Sequence, residues 1–451
     1  MKLFQTRVGR RMYQWLGLAL LANTVVSAAQ AVPLFARQTG QNCVACHVSF
    51  PELTPYGRWF KLSGYTIGAR QDIPLAMMAQ VGVQSVANND DGTGTGTKVT
   101  DSNNRAVLNG ASLFAGGKVT DNFGALVQWT YSQTYRVGST SVGGSGIDNS
   151  DLRLVGRMSS ADANDVQLLY GVTVHNNPTV QDVWNSTPAW GYPFTVSPTA
   201  LHPAAATQIE GALAAQVAGV GAYGFYNRSW YGELSLYRTA DSVFNILRAG
   251  YNPATAARLQ GSNPYVRLAY NHEWANNSLM LGAMGMRTVR DASDPSAPGA
   301  AYNDYGVDAQ YQFITQMHTF TAQASYIHEK QDYTNAANPP GNAYDSLNSA
   351  KLKGTYYYDR QYGLTLEWFR ISGTADPGLY AANATTGSGS GSPNSQGYVV
   401  ELNYLPLQNL RLVLQYTGYT QFNGGNIGYD GATSRKASDN NTLFLNAWVA
   451  F

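Results

Sequence analysis

Tyr398-Val399-Val400-Glu401-Leu402-Asn403-Tyr404 and, after a short break at Leu405–Gln408, Leu410-Arg411-Leu412-Val413-Leu414-Gln415-Tyr416-Thr417 decide the fold. Successive side chains of an extended chain point to opposite faces, so Tyr398, Val400, Leu402 and Tyr404 share one face and Val399, Glu401 and Asn403 the other. In the second stretch Leu410, Leu412, Leu414 and Tyr416 form the apolar row, opposite Arg411, Gln415 and Thr417. Two such strands joined by a tight turn predict an antiparallel hairpin with one face toward lipid and one toward water. Alternation alone would also fit the edge of a soluble sandwich.

The same pattern spreads outward from this hairpin. Leu152 and Leu154 alternate with Arg153 and Arg157, and Ala125, Val127, Trp129 and Tyr131 with Gln128, Thr130 and Ser132. Candidate strands lie near residues 75–86, 105–119, 123–136, 149–158, 165–174, 216–226, 229–238, 264–274, 278–289, 302–313, 319–328, 346–357, 362–373, 396–404, 409–419 and 441–451. That is about sixteen, and single-chain bacterial barrels require an even number. Short links such as 120–122, 227–228, 276–277 and 405–408 suit periplasmic turns, and long ones such as 88–104, 175–215 and 373–396 suit external loops. The last strand places Leu443, Leu445, Ala447 and Val449 on one face and ends at Phe451, as in barrels inserted into the bacterial outer membrane. The expected fold is therefore an all-β transmembrane antiparallel barrel over residues 73–451.

Composition agrees. Charged residues make up 13% of the 451, against about 25% in soluble domains, and no apolar run after the N-terminus is long enough to cross a bilayer as a helix. The 46 glycines and 30 tyrosines suit tight turns and aromatic girdles. A net charge of +1 gives no electrostatic reason to expect nucleic acid. Lys2, Arg7, Arg10 and Arg11 precede an apolar stretch from Trp15 to Val26 and a small-residue cleavage site at Ala29-Gln30-Ala31, which predicts a signal peptide over residues 1–31 and export.

The chain's two cysteines both fall in Cys43-Val44-Ala45-Cys46-His47. This CxxCH spacing predicts a single covalently attached haem c, with thioethers at Cys43 and Cys46 and His47 on the proximal side of the iron. A structural zinc would need two further ligands that the neighbourhood lacks, and a disulfide across three residues would close a loop too small to stabilise much. The segment from about residue 32 to 72 is too short to bury a haem in a core of its own, so it needs outside walls. A sixteen-strand barrel entered from the periplasmic side would supply them, with the haem segment plugging the lumen.

Ala36-Arg37-Gln38-Thr39-Gly40, the CxxCH, Pro51-Glu52-Leu53-Thr54-Pro55-Tyr56-Gly57-Arg58 and Phe60-Lys61-Leu62-Ser63-Gly64-Tyr65 resemble the N-terminal signature of the fused outer-membrane monohaem cytochrome-porins, which include the iron oxidases of iron-oxidising bacteria. Residues 177–191, Asn177 through Trp184 to Gly191, are similar to a loop of that family. The resemblance implies an outer-membrane cytochrome that takes electrons from extracellular Fe(II), or another reductant, and passes them through the haem to a periplasmic cytochrome or other carrier. Oxidation outside would keep precipitating ferric iron out of the periplasm. The rival expectation is a diffusion porin whose haem segment is a structural or gating plug, suggested by the mixed lumen-phase charges Glu233, Glu367, Glu401, Arg153, Arg267, Lys353 and Arg411.

For the distal iron ligand, strand phase puts Met78 on the lumen face with Gln80 and Gln84 and leaves Met77 toward lipid. His175 and His202 flank the long 175–215 connection and would serve if it folded inward. Arg37, Arg58 and Lys61 flank the attachment site and are candidates to pair with haem propionates, since a buried anionic group needs cationic or hydrogen-bonding partners.

Overall fold

The computed structural model describes residues 34–137, 140–159, 166–210, 213–248, 258–291 and 298–451. The expected signal peptide lies outside the described residues. The described chain opens with three short helices, α1 (Leu34–Thr39), α2 (Cys43–Cys46) and α3 (Pro55–Leu62), and a small ladder of β1 (His47–Ser49) with β2 (Glu52–Leu53). Strands follow: β3 (Leu75–Val86), β4 (Ala106–Lys118), β5 (Phe123–Val137), β6 (Thr140–Ile147), β7 (Asp151–Ser159), β8 (Val166–His175), β9 (Val217–Tyr226) and β10 (Trp230–Thr239). Beyond these come β11 (Arg258–Leu259), β12 (Asn263–Trp274), β13 (Asn277–Asp291), β14 (Ala300–Ile314), β15 (His318–Asp332) and β16 (Tyr344–Tyr358). The last four are β17 (Tyr362–Gly373), β18 (Ser395–Leu407), β19 (Leu410–Gln421) and β20 (Thr442–Ala450).

From β3 onward each strand pairs antiparallel with its neighbours, and β20 closes on β3. One half of β5 pairs with β6 and the other with β7, and β11 runs on into β12 between β10 and β13, so each of these pairs fills one place in the wall. The barrel thus has sixteen strand positions and no free edge. The extra strand at β6 escapes periodicity because Thr140–Ile147, TSVGGSGI, has little apolar residue to alternate.

Exposure follows the expected phase: Leu402 is 52% exposed while Glu401 is sealed. Trp230, Tyr305, Tyr344 and Tyr362 join a row of leucines and valines on the outside. Asn227 and Arg228 both adopt positive φ, 48° and 54°, the two-residue turn that matches the twist of a hairpin. The break expected at Leu405–Gln408 is shorter: β18 continues to Leu407, which pairs with Leu410, because Leu405 still turns inward and packs with Val48 and Tyr357.

Residues of the first segment and of 176–210 lie against the inward faces of the strands. Leu62 from α3 and Val183 and Trp184 from the long connection join Val155, Leu169, Tyr223, Phe225, Tyr231, Ala269 and Met280 in one apolar cluster. Arg153, Arg267 and Arg411 are each no more than 1% exposed. Inward side chains here meet protein, so this wall is apolar and aromatic where it packs, and Arg153, Arg267 and Arg411 each have an acidic partner.

Candidate functional site

The CxxCH turn is built by the residues that follow it. Thr54 caps α3 by accepting from Gly57 N at 3.2 Å, and its own hydroxyl donates to Ala45 O at 2.5 Å. Thr54 N donates to Cys46 O at 2.9 Å. Pro55 occupies the first turn of α3, where its missing N–H costs nothing. A Cβ on Gly57 would overlap the Cys46 carbonyl oxygen, so glycine lets α3 lie directly on α2. The Thr-Pro-x-Gly stretch therefore clamps the motif.

Cys43 and Cys46 are free, part-buried thiols on one helical turn. Burial raises both, Cys46 to about 11 with the neighbouring Cys43 adding to the shift. His47 has its Nδ1 shut from solvent with no hydrogen-bond partner. Burial pushes its imidazole down to about 4 against the pull of the Pro51 and Glu52 backbone, so the ring is neutral at ordinary pH. Two unpaired thiols on one turn beside a neutral imidazole with an orphaned nitrogen fit a covalently attached haem.

The rest of the segment is locked to the barrel. Arg58 donates to Gln310 (3.0 Å), Gln312 (2.6 Å), Ser278 (2.6 Å) and Glu273 (3.3 Å). Lys61 donates to Val180 O and Asp182 O at 2.6 and 2.7 Å and lies 4.7 Å from the Trp190 ring centre. Glu52 forms a buried ion pair with Lys353 at 3.0 Å, and Tyr65 donates to Asp151 at 2.7 Å. Arg58 and Lys61, expected near propionates, thus direct their polar atoms to strands and to the long connection. Arg37 is exposed on α1 and donates to Leu75 O.

The 176–210 stretch folds inward as a second filling. Asp308 holds Arg267 at 2.7 Å and accepts from Ser186 at 2.5 Å, and Asp182 lies 3.5 Å from Arg267. Gln208 N and Ile209 N donate to Glu329 and Asp304 at 2.6 and 2.9 Å. Leu53 N donates to Asn185 Oδ1 at 3.0 Å, joining the two fillings directly.

The three distal-ligand candidates fall apart in space. Met78 keeps its lumen phase, part-buried between the exposed Met77 and the part-buried Ala79. Its neighbourhood leads back to the motif: Trp448, the cross-strand partner of Gln80, stands 6.0 Å from Phe50, whose ring is 5.3 Å from that of His47. His175 is sealed with Nε2 bonded to Tyr237 (2.7 Å) and Nδ1 to Thr173 (3.2 Å). His202 is exposed and its Nε2 meets Ser197 O at 3.1 Å. Among the described residues no three His, Cys, Asp or Glu side chains converge on a metal position. Thr54, Gly57 and Glu52 are the site residues that sequence reasoning did not single out; only the capping pattern Thr-Pro before an apolar run could have pointed to Thr54.

This architecture defines a closed antiparallel β-barrel of the outer-membrane-protein type. No family model and no curated sequence matches the chain. Among solved structures it is similar to the outer membrane channel DcaP of Acinetobacter baumannii, with 13% identity, 84% of this chain and 96% of that one covered, and a TM-score of 0.43. It is similar also to OmpT of Vibrio cholerae, with 11% identity, 85% and 99% covered and a TM-score of 0.44. A third is Salmonella typhi OmpF in complex with daunomycin, at 8%, 84%, 97% and 0.43.

Proposed function

We propose that the protein is an outer-membrane cytochrome that carries electrons from an extracellular donor, Fe(II), through one haem on Cys43 and Cys46 to a periplasmic carrier. What supports this reading is the contact between the CxxCH segment and the inward-facing side of the wall: Arg58, Glu52 and Tyr65 bond to strand residues, and Leu62 shares an apolar cluster with Val183 and Trp184 of the long connection. Protein packed against the inward faces suits passage of electrons without passage of the donor.

When bound, the haem would supply a one-electron ferric/ferrous couple. His47 would hold the iron in its neutral form, and Thr54 and Gly57 would keep the attachment turn in one shape. Met78 is our choice for the distal side, since His175 has both ring nitrogens bonded to protein. Arg37 is our choice for a propionate contact, since Arg58 and Lys61 are turned to the wall and the long connection.

Adding Fe(II) to the oxidised purified protein should reduce the haem, read as growth of its reduced absorbance bands. No reduction at any pH where the protein is folded would sink the iron donor, and absence of covalent haem from the wild type would sink the cytochrome.

A second reading, a diffusion porin with a haem-bearing plug, draws on a cavity of about 180 Å³ inside the barrel. Ion conductance of reconstituted protein that persists when Cys43 and Cys46 are replaced would favour it.

A further inference from the structure

Among the inward-facing charges of β16 to β19, all but Asp345 and Glu367 form ion pairs, and Asp345 Oδ1 accepts from Asn342 at 2.8 Å. Lys353 pairs with Glu52 at 3.0 Å, Arg411 with Glu401 at 2.6 Å and Lys351 with Glu210 at 3.3 Å. Glu367, on β17 in register with Lys353, makes no ion pair among the described residues. It is 5% exposed, and its Oε2 is sealed without a hydrogen-bond partner.

This carboxylate borders two cavities. One, of about 180 Å³, extends past Lys351 and Ser197 to His202 and Thr442 at the long-loop end. The other, about 20 Å³, is bounded also by Tyr192 and Lys353. Ser197 Oγ and Tyr192 Oη are likewise buried without partners. Buried polar atoms in a native protein are satisfied by protein, water or ligand, so Glu367 Oε2 and Ser197 Oγ on the larger cavity, with Tyr192 Oη on the smaller, call for an occupant. The larger cavity has room for several water molecules.

We propose that the chamber beside Glu367 is a site for a hydrated divalent cation entering from the long-loop end. The identification of that cation with the Fe(II) donor rests on the function proposed above. A lone carboxylate with hydroxyl oxygens suits a cation that keeps most of its water, because carboxylate, hydroxyl and water oxygens are the ligands of hard dications. Lys351, which faces the same chamber, opposes the cation and is itself held by Glu210. One carboxylate with hydroxyl and water oxygens holds a dication weakly and exchangeably, as a donor that binds and leaves on the same side requires.

Mn(II) serves as the probe, with free Mn(II) read by its paramagnetic resonance signal in titrations of the full-length, haem-loaded protein in detergent. The wild type should bind it saturably, and Glu367→Gln should weaken binding by at least roughly tenfold, the factor carried by 1.4 kcal/mol. Lys351→Met should tighten it several-fold, since it removes the facing ammonium and releases Glu210; a gain of affinity cannot come from misfolding. No saturable binding by the wild type, or equal binding by all three proteins, would overturn the site. If the three titrations behave as expected while Fe(II) fails to reduce the haem, the cation site stands and the donor assignment falls.

Discussion

Gly57 lies so close under Cys46 that a Cβ there would clash with the Cys46 carbonyl oxygen. The same oxygen accepts from Thr54 N at 2.9 Å, so helix and attachment turn share one rigid junction. Gly57→Ala should displace the turn and lower covalent haem per chain several-fold, measured by the pyridine haemochrome, while the barrel still shows its heat-dependent gel shift. Thr54→Ala removes the cap and the bond to Ala45 O and should have a smaller effect, in line with about 1 kcal/mol for a lost N-cap. Full haem loading in Gly57→Ala would refute the clamp.

The Glu52–Lys353 pair joins the plug to the wall, and both side chains are at most 2% exposed. Removing one partner leaves a buried charge unmatched, which costs about 3–5 kcal/mol, whereas removing both is far cheaper. Glu52→Gln and Lys353→Met should each lower the denaturant midpoint, and the double variant should recover much of the loss. Additive losses would mean the two residues act independently.

Ligation of the iron separates Met78 from His175 by spectroscopy. Met78→Ala should shift the reduced absorbance bands and remove the weak near-infrared feature of a thioether ligand. His175→Ala should leave the spectrum unchanged but lose the hydrogen bonds to Tyr237 and Thr173, each worth about 1 kcal/mol. An unchanged spectrum in Met78→Ala would remove Met78 from the iron.

The barrel was legible because lipid on one side and polar atoms on the other impose a period of two on every strand. Leu402 against Glu401 and Leu414 against Gln415 display it without knowledge of their neighbours. What was not legible has a common cause. Arg58 and Lys61 read as propionate candidates from proximity to the CxxCH, and the partners the structure gives them, Gln310, Gln312, Val180 and Asp182, are more than 100 residues away. Glu52 likewise carries no local sign of Lys353. Inward side chains are specified by whatever fills the lumen, and that contact has no sequence period. Gly57 was visible only as one residue of the stretch after the CxxCH, since the group it makes room for belongs to another turn.

Lys61 gives the segment a pH dependence of its own. Burial, with Arg153 adding, lowers its ammonium from 10.5 to about 7, against the opposing pull of Asp151, Asp182 and Glu233. Between those two values the unfolded chain holds a proton at this residue that the folded chain has released. Stability therefore rises with pH across that window and is independent of Lys61 titration below about 7, where both states are charged. Lys61→Met lacks this proton and also leaves the Val180 and Asp182 carbonyls without their donor at every pH. The free energy of unfolding of wild type minus variant cancels the other titrating groups. It should be flat below pH 7 and climb by up to about 1.4 kcal/mol per pH unit above it. A flat difference from pH 6 to pH 10 would show that the lysine stays charged, bound to the two carbonyls and Trp190, throughout.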